Sequence, residues 1–508
     1  MRALVAAMLL ASLGAGCRNA ASQARSPGRL TYVAAGGDLQ AALDAAAPGD
    51  VIVLAAGAVF RGPFTLPAKA GDDWVTLRSD GRLPPAGTRV GPQDASAMAA
   101  LEAASGSVIV AAPGAHHYRL SGLEIRPVAG SFLANLVELG SSDGTAEEIP
   151  HHLVVERCYI HGDARRGSRR GIALNSGESS IVDSYLADFK EVGADSQAIA
   201  GWNGPGPFLI ENNSLEAAGE NVMFGGADPS IAGLVPADIT LRRNRLAKPL
   251  AWKRGEPGYA ATRWSVKNLL ELKNARRVVI EGNLLEHNWV EAQAGFAVLF
   301  TVRNQDGGAP WSCVEDVRFE GNRVRHTASG INVLGFDDNH PSGQARRITI
   351  RNNLFEDVGG PRWGGGGRLL QLLDATSEVV FEHNTAFHTG NLVTADGRPH
   401  AGFVFRDNIA AHNEYGVVGS GSAPGADALR RFFPGALFRR NVIVGAPAGF
   451  SSDDNFVAAS FEQVGFVDLR GGDYRLRETS PYKRAASDGR DVGVDFDALG
   501  SVPDARQR

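Results

Sequence analysis

VVIEGNLLEHN, residues 278–288, decides the fold. Val278 and Ile280 alternate with polar or outward neighbours as a strand does, Gly282-Asn283 breaks the run, and Leu285 resumes it. The core of the stretch, apolar-x-x-Asn-x-apolar, returns as IENNSL (210–215), LRRNRL (241–246), FEGNRV (319–324), IRNNLF (350–355), FEHNTA (381–386), FRDNIA (405–410) and FRRNVI (438–443). By subtraction, successive Asn positions are 24 to 39 residues apart. A short unit thus repeats while its connections vary, which is the mark of a solenoid. Upstream the frame continues with other residues in the Asn place: Leu120, Leu123, Ile125; Val155, Cys158, Ile160; Ile181, Ser184, Leu186. Each unit reads as three short strands making one coil. Eleven coils spaced about 4.8 Å apart predict a rod about 50 Å long.

Asn suits the bend between two strands because it tolerates left-handed backbone angles and because its amide offers two donors and an acceptor. Stacked coil upon coil, such amides can bond to one another out of water. On these residues the sequence resembles the pectate-lyase-like right-handed parallel β-helix superfamily. The resemblance covers residues 31–500 and implies an all-β, right-handed parallel β-helix with an N-terminal helical cap. It also implies an internal Asn ladder at 213, 244, 283, 322, 353, 384 and 408, in the bend between the second and third sheets. The run GGDLQAALDAAAPGDVIVL (36–54) fits the cap: Asp38 can cap a short Ala-rich helix with Leu39 and Leu43 on one face, stopped at Pro48-Gly49. Residues 474–499 lack the ladder and are expected to close the other end.

A length of 508 residues ordinarily suggests several domains, but one continuous repeat argues for a single rod. The net charge of −5 leaves no polybasic footprint, so nucleic acid is not an expected partner. Arg2, an apolar run over residues 3–13 and Gly14-Ala15-Gly16-Cys17 read as an export signal too short to span a bilayer. The expected organisation is a signal peptide at 1–16, a linker at 17–30, the β-helix with its caps at 31–500, and a tail at 501–508. Cys17, directly after small residues, resembles the lipidated Cys of a bacterial lipoprotein, although Leu13 stands one position earlier than that pattern places it. The chain is therefore expected to be exported, either held by lipid on a bacterial envelope membrane or released. Cys158 and Cys313 fall several coils apart, which excludes a disulfide between them, and no Cys/His cluster has zinc spacing.

The resemblance implies that substrate lies along the first sheet. Its strands are read at 137–139, 172–174, 198–200, 222–224, 269–273, 297–301, 331–334 and 369–373, where alternation separates core from groove. Glu138, Asn175, Asn221, Glu271, Lys273, Thr301, Arg303 and Gln371 then face outward, with Lys267 joining them if no bulge intervenes. The longest connections flank the same region and bring Trp252, Lys253, Arg254, Trp289, Gln293, Asn304 and Trp311 toward it; with Asn332 these are the expected substrate contacts. Exposed tryptophans offer flat faces to sugar rings, and equally they can fasten long loops to the coil. His287 and His326 occupy corresponding bends, where stacking on the third side is expected.

Family patterns act mainly by exclusion. Asp337-Asp338 resembles the carboxylate pair of polygalacturonase-type hydrolases, but their Gly-His-Gly and Arg-x-Lys are missing; Asp228-Pro229 begins the alginate-epimerase pattern and then departs from it. Calcium-dependent lyases of the chondroitinase B type place an Asn on one first-sheet strand, two alternating Glu on the next, and a Lys base beyond. Asn221 and Glu271 stand at two of those places, which makes Ca2+ shared by Asn221 and Glu271 the one cofactor to consider. Lys273 stands where the second Glu or its neighbour belongs. The stretches NVMFGGADPS, WSVKNLLELKNARRVVIEGN and FAVLFTVRNQDG are also similar to a recurrent group of bacterial secreted β-helix repeat proteins. Two functional classes follow. One is action on an acidic polysaccharide, as a lyase performing β-elimination at a uronic acid with Lys267, Glu271, Lys273 and Arg303. The other is carbohydrate binding, adhesion or a structural envelope role without turnover.

Overall fold

The computed structural model describes residues 28–447 and 454–499. Among them, the strands form parallel sheets of 14, 12 and 14 strands and one two-stranded antiparallel ribbon. Each complete coil gives one strand to each long sheet, and the end coils miss the first. Asn268–Leu272 lies in the first, Ala275–Glu281 in the second and Leu284–Asn288 in the third. Register is kept from coil to coil; Ile280 pairs with Leu241 on one side and Phe319 on the other. Fourteen strands about 4.8 Å apart make a stack about 60 Å long, longer than the sequence count. The added coils, with strands such as Val51–Leu54, Val75–Ser79 and Phe456–Ala458, lie outside the stretch counted from the repeats.

The bend between the second and third sheets carries a continuous polar column. Asn322 Nδ2 donates to Ile280 O at 2.9 Å and to Asn353 Oδ1 at 3.1 Å, while the Asn322 backbone N–H donates to the same oxygen at 2.9 Å. The pattern runs from Cys158, whose N–H donates to Ser184 Oγ, through eight asparagines to Asn441, whose amide donates to Asn455 Oδ1. Every donor and acceptor of these buried amides is thereby used. The left-handed angle falls one residue earlier than the sequence argument placed it: Asn212, Arg243, Asn352, His383 and Asp407 have φ between 51° and 58°. The preceding residue makes the turn, and the ladder Asn supplies the amide.

Helix α1 (Leu39–Ala45) covers the first coil, with Asp38 Oδ1 accepting from Ala41 N–H at 2.9 Å and Leu39 and Leu43 buried. At the far end, helix α2 (Ala426–Phe432) packs on the strand Val417–Gly419 and sends Ala428, Phe432 and Phe433 into the main core. Residues 474–499 do something other than close the rod. They run back along the outside of the third sheet: Ser487 Oγ donates to Asp407, Val494 N–H to Thr385 Oγ1, Asp495 N–H to Asn352 Oδ1 and Tyr474 OH to Glu356. Val494 and Leu499 pack there on Leu354.

One corner sets the position of the site. Where the chain enters the first sheet, two successive side chains are buried in the core: Leu136-Val137, Ala198-Ile199, Leu269-Leu270 and Ala297-Val298. Strict alternation therefore fails at the start of each strand. The residue preceding each pair faces outward, and the polar face is shifted by one place from the reading by alternation.

Candidate active site on the first sheet

The shifted residues form a row across neighbouring strands: Asn135, Arg170, Gln197, Glu220 and Asn268 are register partners in turn. They are joined by hydrogen bonds. Arg170 donates to Asn135 Oδ1 at 2.8 Å and to Gln197 Oε1 at 3.0 Å, and Gln197 Nε2 donates to Glu220 Oε2 at 2.8 Å. Asn268 Nδ2 donates to Glu271 Oε2 at 2.9 Å and to Gln293 Oε1 at 3.3 Å, and Thr301 Oγ1 donates to Glu271 Oε1 at 3.3 Å. Two lysines complete the cluster. Lys267 Nζ lies 2.5 Å from Asp195 and 3.7 Å from Glu220 Oε1, and Lys273 Nζ lies 3.7 Å from Glu271 Oε1. The arrangement is three carboxyls, Asp195, Glu220 and Glu271, and two ammonium groups on neighbouring coils.

Glu220 is 0% exposed and Glu271 2%. Burial, reinforced by Glu271 and Asp195, pushes Glu220 up to about 7 against the pull of Lys267 and Lys273. Burial acts the other way on Lys267, but Glu220 and Asp195 outweigh it and hold that ammonium above its ordinary value. Glu220 Oε1 and Asn268 Oδ1, on adjacent strands, are buried without a hydrogen-bond partner. Such oxygens are costly to leave unpaired in a folded chain and mark a place where function competes with stability.

Beneath this row lies Lys248, 0% exposed. Its Nζ is ringed by Ala217 O, Ala218 O, Gly219 O, Asn268 O and Asn221 Oδ1 at 2.9 to 3.3 Å. Burial pulls Lys248 down to about 7 and Glu220 opposes that pull.

The structure redistributes the residues expected from sequence. Lys267, Glu271, Lys273 and Gln293 come together as described, and Asn332 lies further along the same outer face, accepting from Gln371 Nε2 at 3.1 Å. Asn221 does not join them. It is 0% exposed and its Nδ2 donates to Leu215 O and Ala247 O, so it faces the core and cannot share a calcium ion with Glu271. Arg303 is held by both Asp337 and Asp338, and Asn304 fastens its own loop by bonds to Pro341 O and Ala309 N–H. Trp252 and Trp289 are buried with Ala218 and Val266, against partly buried Trp264, and Lys190 Nζ lies over Trp252 and Trp264 at 5.1 and 5.3 Å. Lys253 pairs with Glu256 at 3.7 Å, Arg254 is exposed, and Trp311 Nε1 donates to Leu234 O at 2.9 Å. These tryptophans fasten loops, and the rings of Trp252 and Trp289 are buried in doing so. Glu220 was missed because alternation counted back from Val222 selects Asn221; the signal was Glu220 standing in the place of Gln197 and Asn268, just ahead of a doubly buried pair. Cys17 lies outside the described residues.

A separate cavity of about 270 Å³ sits at the opposite edge of the first sheet, lined by residues that include Ser141, Asp143, Glu148, Asn175 and Asn203. It shares no residue with the cluster.

No protein-family model matches the chain, and no curated protein sequence does. Among solved structures, it is similar to the catalytic unit of a GH87 α-1,3-glucanase from Streptomyces thermodiastaticus strain HF3-3, with a TM-score of 0.50 and 13% identity over 85% of this chain and 70% of that one. It is also similar to pectate lyase Pel9A, with a TM-score of 0.35, 12% identity and coverage of 92% and 96%. A mannuronic acid specific polysaccharide family 6 lyase from human gut microbiota gives a TM-score of 0.38, 12% identity and coverage of 84% and 90%. At these identities the likeness concerns the fold alone, a parallel β-helix.

Proposed function

We propose that this protein is an exported enzyme that cleaves an acidic polysaccharide on the outer face of its first sheet, with Glu220 as the proton-transfer group. The observation that carries this reading is the juxtaposition of Glu220, held near neutrality, with Lys267, Lys273 and Glu271 on adjacent coils. A general acid or base works best with a pKa near the working pH. The glucanase of like fold offers a precedent for polysaccharide cleavage on this scaffold, but the chemistry rests on the residues.

β-Elimination at a uronic acid uses the cluster as follows. Lys267 and Lys273 neutralise the sugar carboxylate, ionised Glu220 takes the proton from C5, the C–H electrons form the C4–C5 double bond, and the bond from C4 to the glycosidic oxygen breaks, that oxygen leaving with the bonding pair and taking a proton from water. Glu220 rather than Lys267 is taken as the base, because Lys267 is held charged by Glu220 and Asp195. The presence of both Glu220 and Glu271 supports hydrolysis as the second reading, with protonated Glu220 as acid and Glu271 as the second carboxyl. Since neither carboxyl is exposed, side chains of the cluster have to move for substrate to reach them. Incubation with a panel of uronate polymers decides between them: unsaturated uronate ends support elimination, new saturated reducing ends support hydrolysis, and binding without either product overturns the enzymatic reading. Export through residues 1–16 and lipidation at Cys17 belong to the same proposal, and the intact mass of membrane-extracted protein tests them.

A further inference from the structure

Two His-His doublets, His116-His117 and His151-His152, stand one coil apart, and the register of the second sheet pairs His116 with His151. His117 and His152 adopt φ of 57° and 53°, and Glu178 follows at 44° on the next coil. A left-handed residue breaks the alternation of a strand, so both imidazoles of each doublet emerge on one side of the sheet. The rings stack pairwise across the coils, His116 on His151 at 4.9 Å and His117 on His152 at 4.4 Å. Within each doublet the Nδ1 atoms face each other, at 2.8 Å for His116 and His117 and 2.6 Å for His151 and His152. All four side chains remain partly open to solvent.

We propose that His117, His151 and His152 form a binding site for a borderline divalent transition-metal ion of the Zn2+ type, oriented by Glu178. One ligand atom from each of the three residues lies within 4.8 Å of the others. Glu178 Oε2 lies 2.7 Å from His152 Nε2. A carboxylate in that position fixes the proton on Nε2 and leaves Nδ1 as the lone pair, the second-shell arrangement that prepares an imidazole for a metal. That Nδ1 is the atom facing His151 Nδ1. Zn–N bonds of about 2.0–2.1 Å place two nitrogens of a tetrahedral site about 3.3 Å apart, so the two rings need to part by about 0.7 Å as the ion replaces the hydrogen shared between them. The His151 proton moves to its Nε2, which keeps both ligands neutral. Asp72 forms an overlapping set with His116 and His117 and supplies an oxygen donor on the other flank.

The reading uses different residues from the first-sheet site and stands or falls apart from it. Sequence spacing gave no zinc motif because the four histidines meet through the coil register, which no linear pattern reports. The test uses tag-free protein freed of metal by chelation, equilibrium dialysis against Zn2+, and Co2+ as a spectroscopic probe. About one equivalent of Zn2+ is expected, with the visible absorption of a tetrahedral nitrogen-rich Co2+ site. The His151→Gln/His152→Gln variant should lose both, His117→Asn should weaken binding, and His161→Gln, on the third sheet, should keep it. Less than about a tenth of an equivalent on the wild-type protein overturns the proposal, as does binding that the double variant leaves intact; should the double variant fail to fold, the wild-type stoichiometry and Co2+ spectrum decide the matter alone.

Discussion

Replacing Asn322 by Leu tests the polar column at its middle. The side chain accepts from the Asn283 N–H and from Asn283 Nδ2, both at 2.9 Å, and donates to Ile280 O and Asn353 Oδ1. Leu at this position orphans two donors on Asn283 and leaves Ile280 O without its side-chain partner; Asn353 Oδ1 still accepts from the backbone N–H of residue 322. Asn322 is 0% exposed, so water cannot replace these bonds without opening the coil. At roughly 1–3 kcal/mol for each buried group left unpaired, and with partial offset from the buried leucine, the cost should be about 3–5 kcal/mol. A rod of this size unfolds through intermediates or irreversibly, so the informative assay is the unfolding rate in denaturant, referred to the wild-type protein in the same buffer. Asn455, the last rung of the column and itself half-buried, should cost markedly less when changed to Leu, because it carries no further asparagine beyond it and stands partly open to water. Equal unfolding rates for wild type and Asn322→Leu, or a larger effect at Asn455 than at Asn322, would refute the column as a source of stability.

Glu220 has a folded pKa of about 7, above the roughly 4.3 of an unfolded glutamate, so the folded chain binds more protons between those values and stability falls as pH rises through that window. Glu220→Gln should therefore show a flatter decline from pH 5 to 8, by roughly 2–3 kcal/mol in denaturation, and parallel profiles would contradict the assignment. Lys248→Met leaves four carbonyl oxygens and Asn221 Oδ1 without their shared donor and should destabilise by roughly 3–5 kcal/mol; a neutral effect on the thermal midpoint would show that the ammonium is dispensable. Lys253→Ala and Arg254→Ala, outside the cluster, should leave turnover of any cleaved polymer unchanged, whereas a large loss in kinetic assays would return these residues to the site.

The coil was legible because its determinant is local: each ladder Asn sits in a six-residue frame, and the buried amide it supplies has no other outlet. The site was half legible. Glu271, Lys273, Lys267 and Gln293 follow from strand alternation and loop proximity, and the structure brings them together. Asn221 and Glu220 were exchanged because two adjacent side chains turn inward at the corner, a feature that period-two reasoning cannot contain. The tryptophans were ambiguous for a different reason: an indole on a long loop can be fastened inward or presented outward, and long-range partners decide it, Lys190 for Trp252 and Trp264 and Leu234 O for Trp311. The return of residues 474–499 along the third sheet is likewise a long-range event, built on Asp407, Thr385 and Asn352 far upstream.

The central claim is that the buried carboxyl of Glu220 transfers the proton in cleavage of an acidic polysaccharide. The most direct measurement is the rate of polymer cleavage by Glu220→Gln, compared with wild type on a uronate polymer the wild-type protein degrades, with matching circular dichroism for the two proteins. The account predicts a loss of about 100-fold or more in kcat with the unsaturated product otherwise unchanged; a wild-type rate in Glu220→Gln would contradict it.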